Sequence, residues 1–61
     1  MTTVKDYLES ARTSLEEARD TSNKIDAGEQ TDNDVQADLS AVESLISEAM
    51  KEVAKAIQLI G

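Results

Sequence analysis

VQADLSAVESLISEAMKEVAKAIQLI, Val35 to Ile60, decides how this chain folds. Its apolar residues return at helical spacing, with no proline and no interior glycine, so the stretch predicts one long amphipathic helix. It is also the only strongly apolar segment of the chain. A seam runs along it through Val35, Leu39, Val42, Ile46, Ala49, Val53, Ala56 and Ile60. Leu45 and Leu59 flank that seam on one side, Met50 and Ile57 on the other, which makes the apolar face wider than a single helix partner can cover.

Just before this helix, Thr31 and Asp34 are spaced as a cap, and AGEQT, Ala27 to Thr31, carries Gly28, which suits the left-handed residue that ends a helix. Upstream, Thr3 and Asp6 form a second capping arrangement. Val4, Leu8, Ala11, Leu15, Ala18, Ser22 and Ile25 then alternate steps of four and three as a heptad seam, with Ser22 its one polar member. Lys5, Arg12 and Arg19 fall seven residues apart along one side of that helix.

The expected fold is all-α: a single helical-hairpin domain over residues 1–61, with helix 1 at about 3–26, a loop at about 27–31 and helix 2 at about 32–60. So short a connection requires antiparallel helices. Pairing residues whose numbers sum to about 60 places Leu15 near Ile46, Ala11 near Ala49, Leu8 near Val53 and Val4 near Ala56, with Arg19 beside Glu43 across the seam. The layout, with its small core residues, is similar in architecture to the plasmid copy-number RNA-binding hairpins, although no functional residues match.

A chain of 61 residues buries only about 60% of the surface its unfolded form exposes, so stability needs a supplement. Cysteine and histidine are both absent, which excludes disulfides and the usual zinc and copper ligands. Self-association or binding to a partner remains. Leu45, Met50, Ile57 and Leu59 are therefore the expected dimer or partner face, and the expected assembly is a four-helix-bundle homodimer. Leaving each of the four in water forgoes roughly 1.5 to 3 kcal/mol. Antiparallel packing of the two hairpins is expected, because it keeps the loops' charges apart.

The net charge of -7 arises from 13 acids and 6 bases, and it is concentrated in the middle of the chain. No base lies between Lys24 and Lys51. Glu29, Asp32, Asp34, Asp38, Glu43 and Glu48 in that interval are the expected acidic docking surface for a protein with a basic surface. The same field disfavours direct nucleic-acid binding and anionic membranes, and Tyr7 is the sole aromatic available for base stacking.

No catalytic residues, cofactor or metal are expected. Carboxylates are the only acid and base groups, and most map to outward helix positions. Asp32 to Glu43 partly matches a calcium-binding EF-hand loop, but Ala37 stands where the turn needs glycine, and Val35, Leu39 and Val42 keep helical spacing through it. MTTVKDYLES has no apolar run of signal-peptide length, so a cytoplasmic location is expected. The functional expectation is a small acidic, non-enzymatic protein that regulates or inhibits a larger protein by binding it, including as a phage-type or mobile-element inhibitor with partial nucleic-acid mimicry. The alternative is a structural self-association module with no regulatory target.

Overall fold

The computed structural model describes residues 2–28 and 30–61. These form two α-helices, α1 (Val4–Asp26) and α2 (Asp32–Ile60), and contain no strand. Helix α1 opens on a reciprocal cap. The Asp6 backbone N–H donates to Thr3 Oγ1 at 3.3 Å, and the Thr3 N–H donates to Asp6 Oδ2 at 3.0 Å. Two donors that the first turn would leave unpaired are thereby satisfied. Helix α2 has half of this device: the Asp34 N–H donates to Thr31 Oγ1 at 3.2 Å. Asp32 and Asp34 in its first turn also suit the positive end of the helix dipole.

The chain leaves α1 through Ala27, whose N–H donates to the Asn23 carbonyl at 3.1 Å, and Gly28, whose N–H donates to the Ile25 carbonyl at 3.0 Å. Gly28 has φ 75°, a left-handed conformation that a side chain would strain. The turn sends α2 back along α1. Near the loop, Lys24 Nζ lies 3.7 Å from Asp38 Oδ2, and at the open end Lys55 Nζ lies 6.0 Å from the centre of the Tyr7 ring. The pairs 24 with 38 and 7 with 55 show an antiparallel hairpin in a register close to the sequence pairing, their numbers summing to 62 where about 60 was expected. The hairpin measures 44 × 14 × 14 Å.

Its interior is made of alanine. Among the described residues, the buried positions are Ala11, Ala18, Ala49 and Ala56, none more than 5% exposed. A methyl group is small enough to let two helix axes approach toward the lower end of the usual 8–10 Å spacing. Larger residues on the same line as the alanines, Val4, Ile25, Val35 and Val42, are half-buried, whereas those one row to the side are exposed. Leu15 remains 49% exposed and Ile46 42%, so the layers expected of Leu15 with Ile46 and of Leu8 with Val53 lie at the rim of the contact and not inside it.

The expected Arg19–Glu43 pair within one hairpin is also absent. Among the described residues, the ion pair joining the helices is Lys24–Asp38, and the other, Lys55–Glu52 at 3.4 Å, lies within α2. Arg19 follows Leu15 by one turn and Glu43 precedes Ile46 by one turn, so both side chains diverge from the contact line along with those exposed apolar residues.

Candidate functional site

A shallow groove lies along each flank of the alanine contact, and the two grooves are almost equal in size. One, of about 320 Å³, is lined by Leu15 of α1 and by Ile46, Met50, Val53, Ala54 and Ile57 of α2, with Ala49 at its floor. The other, of about 330 Å³, is lined by Ser10, Ser14, Glu48, Lys51 and Glu52. Helical geometry accounts for the split. Positions 39, 46, 53 and 60, with 50 and 57 between them, form a second apolar row on α2, turned away from the Ala49 and Ala56 row toward one flank. Leu8 and Leu15 occupy the same flank of α1, each one turn-neighbour from a buried alanine.

The four residues expected to form one partner face do not share a flank. Met50 (67% exposed) and Ile57 (63%) stand in the apolar groove. Leu59 is exposed on the other side of α2, and Leu45 is half-buried against α1. The apolar face instead includes Leu8, Leu15, Leu39, Ile46 and Val53, all of which the sequence pattern assigned to the hairpin's own interior and all of which are exposed. A signal for this was present in the alternation of alanine with large aliphatics along each seam. Where alanines meet, the neighbouring large residues must overhang the contact.

The acidic residues are distributed around α2. Asp38 is half-buried and turned toward α1 and the loop, where it meets Lys24 and accepts a hydrogen bond from Gln30 Nε2 at 2.8 Å. Asp32 and Asp34 are exposed in the first turn. Glu43 and Glu48 stand on the outer side of α2 around a shallow polar depression that includes Ser44, Ser47 and Lys51. Glu29 lies outside the described residues. These carboxylates are therefore not gathered on one face, and Asp38 is already engaged within the hairpin.

Asp32 to Glu43 is continuous helix, so the side chains that resemble a calcium loop radiate from an axis. Among the described residues, no group of three potential ligands is placed to hold a metal ion. No helix among them is long and apolar enough to cross a membrane. Comparison with protein-family models, with curated proteins and with solved structures finds no match for this chain.

Proposed function

We propose that this chain is a cytoplasmic, non-enzymatic interaction protein that assembles as a homodimeric four-helix bundle and regulates a larger protein by binding it. The observation that carries the assembly is the apolar flank itself: Leu8 and Leu15 beside Leu39, Ile46, Met50 and Val53 on a hairpin whose fully buried residues, among those described, are four alanines. Such an interior contributes little burial, and a second hairpin supplies what is missing. The whole hairpin measures 44 × 14 × 14 Å in Cα extent, so even a flank covered along its full length gives a footprint somewhat below the ~800 Å² per partner of a standard interface.

The regulatory part of the proposal rests on the surplus negative charge that dimerisation leaves outside. Asp32, Asp34 and Glu48 stay exposed when the apolar flank is covered, and a basic protein surface is their natural complement. Partial mimicry of nucleic-acid phosphates belongs to this reading. It is weakened by the scatter of the carboxylates around α2 and by the internal engagement of Asp38.

Light scattering at micromolar protein tests the assembly, with a dimer mass expected. A wild-type chain that stays monomeric at about 100 micromolar, with a concentration-independent melt, refutes it. For the regulatory role, reversing Asp32, Asp34 and Glu48 to lysine should remove proteins captured from host extract while leaving the dimer mass unchanged. Unchanged capture favours the structural self-association module.

A further inference from the structure

We propose that the two hairpins pair with their loops at the same end, α1 of each lying on α2 of the other, so that Arg19 meets Glu43 of the partner subunit. This rests on the homodimer reading above and specifies its arrangement. Two face-to-face arrangements of an antiparallel hairpin obey a two-fold axis. In one, the axis runs along the bundle, the loops share an end, and α1 faces α2 of the other copy. In the other, the axis crosses the bundle, the loops lie at opposite ends, and each helix faces its own copy.

The rims of the apolar flank distinguish them. On α1 the rim is the row Lys5, Arg12, Arg19 and Asp26, every member exposed and each cation one turn from Leu8 or Leu15. On α2 the rim is the row Gln36, Glu43, Met50 and Ile57, again with every member exposed. The register set by Lys24 with Asp38 and Tyr7 with Lys55 puts these rows level: Lys5 with Ile57, Arg12 with Met50, Arg19 with Glu43, Asp26 with Gln36. Within one hairpin the two rows point away from the contact and do not meet. With the loops at the same end, each row lies against the other row of the second copy.

Every level of that meeting is compatible. Arg19 faces a carboxylate, Asp26 faces an amide donor, and the aliphatic stems of Lys5 and Arg12 cover Ile57 and Met50 while their charged heads reach water. With the loops at opposite ends and the two-fold axis at the middle of the hairpin, near Leu15 and Ile46, Lys5 falls against Asp26 of the partner subunit, but Arg12 falls against Arg19 of the partner subunit on both sides of the axis. Glu43 then falls against Met50 of the partner subunit, so the two like-charged contacts are kept and the Arg19–Glu43 pairs are lost. Like charges placed directly opposite are destabilising. The opposing consideration is the acidic loop end, where Asp26, Asp32 and Asp34 of both copies come into the same neighbourhood. Those groups are exposed, and separations comparable to the ~8 Å screening length at physiological salt weaken their repulsion.

Two measurements on the dimer test the arrangement. The chain has no cysteine, so a spin label on Ala27→Cys, at the exposed start of the loop, reports one distance between copies. Loops at the same end give a separation below about 25 Å, from helix axes 8–10 Å apart. Loops at opposite ends give a separation near or beyond the 44 Å length of the hairpin, which overturns the proposal and leaves the homodimer standing. Independently, Arg19→Glu and Glu43→Arg should each raise the dimer dissociation constant by about tenfold, and the double variant should restore it. Single variants without effect, or a double variant no better than the singles, overturn it. Circular dichroism confirms that each variant remains helical. A wild-type chain that is monomeric throughout refutes the dimer reading itself.

Discussion

The two flanks of the hairpin are grooves of nearly the same volume, 320 and 330 Å³, formed by the same pair of helices over the same alanine contact. One is lined by leucine, isoleucine, valine and methionine, the other by serine, glutamate and lysine. The backbone makes both grooves, and side-chain chemistry alone gives them different roles. A polar groove can remain solvated at little cost. The apolar groove leaves large aliphatic side chains in water, and it is the flank that the proposed dimer covers.

The largest expected effect comes from placing one charge in each groove. Ile46→Glu, in the row of the apolar groove next to the alanine contact, buries a carboxylate at the proposed contact in both copies and forgoes roughly 1.5 to 3 kcal/mol of burial per copy, which should convert the dimer to monomer and lower the melting temperature in a concentration-dependent way. Ser10→Glu in the polar groove should change stability by no more than about 0.5 kcal/mol. Equal effects from the two variants, read by light scattering and thermal melts, would erase the distinction between the flanks.

A second variant attacks the contact beneath both grooves. Ala49 is 4% exposed, and Ala49→Leu has to push the helices apart or leave its rotamer, at a cost of about 1–3 kcal/mol. Denaturant melts should show a lower midpoint with an unchanged slope. A stabilised Ala49→Leu would mean that the hairpin opens easily and that its alanine contact does not govern the flanks.

Smaller effects are expected at the ends. Asp38→Ala removes the acceptor of the Gln30 hydrogen bond and the partner of Lys24, and should cost about 1 kcal/mol, seen chiefly as faster amide exchange around the loop. Tyr7→Leu removes the ring beneath Lys55 and, at this half-exposed site, should cost roughly 0.5–1 kcal/mol without altering dimer mass. Loss of the dimer in Tyr7→Leu would extend the interface beyond the apolar flank.

Two helices, a short turn at Gly28 and caps at Thr3 and Thr31 were legible from the residues alone. Each depends on contacts within a few positions along the chain: threonine oxygen to a backbone N–H three residues on, apolar spacing along one axis, and a glycine where φ is positive. The absence of cysteine and histidine, the concentration of acids between Lys24 and Lys51, and the surplus of apolar side chains on the second helix were likewise properties of the sequence.

Tertiary structure decided which apolar residues are spent inside the hairpin and which remain outside. Leu8, Leu15, Leu39, Ile46 and Val53 satisfy a heptad pattern and therefore read as interior, yet periodicity gives only a direction around the axis, to within a residue's width of about 100°. Ala11, Ala18, Ala49 and Ala56 are buried while Leu8, Leu15, Ile46 and Val53, three or four positions away and turned to one side, are exposed, so a rotation smaller than that separates burial from exposure. The same rotation carried Arg19 and Glu43 away from each other and turned Leu45 inward while Met50 and Ile57 faced out. Helical spacing can say that a side chain belongs to the apolar half of a helix, but the interhelix distance, set jointly by residues far apart in the chain, determines whether it is covered.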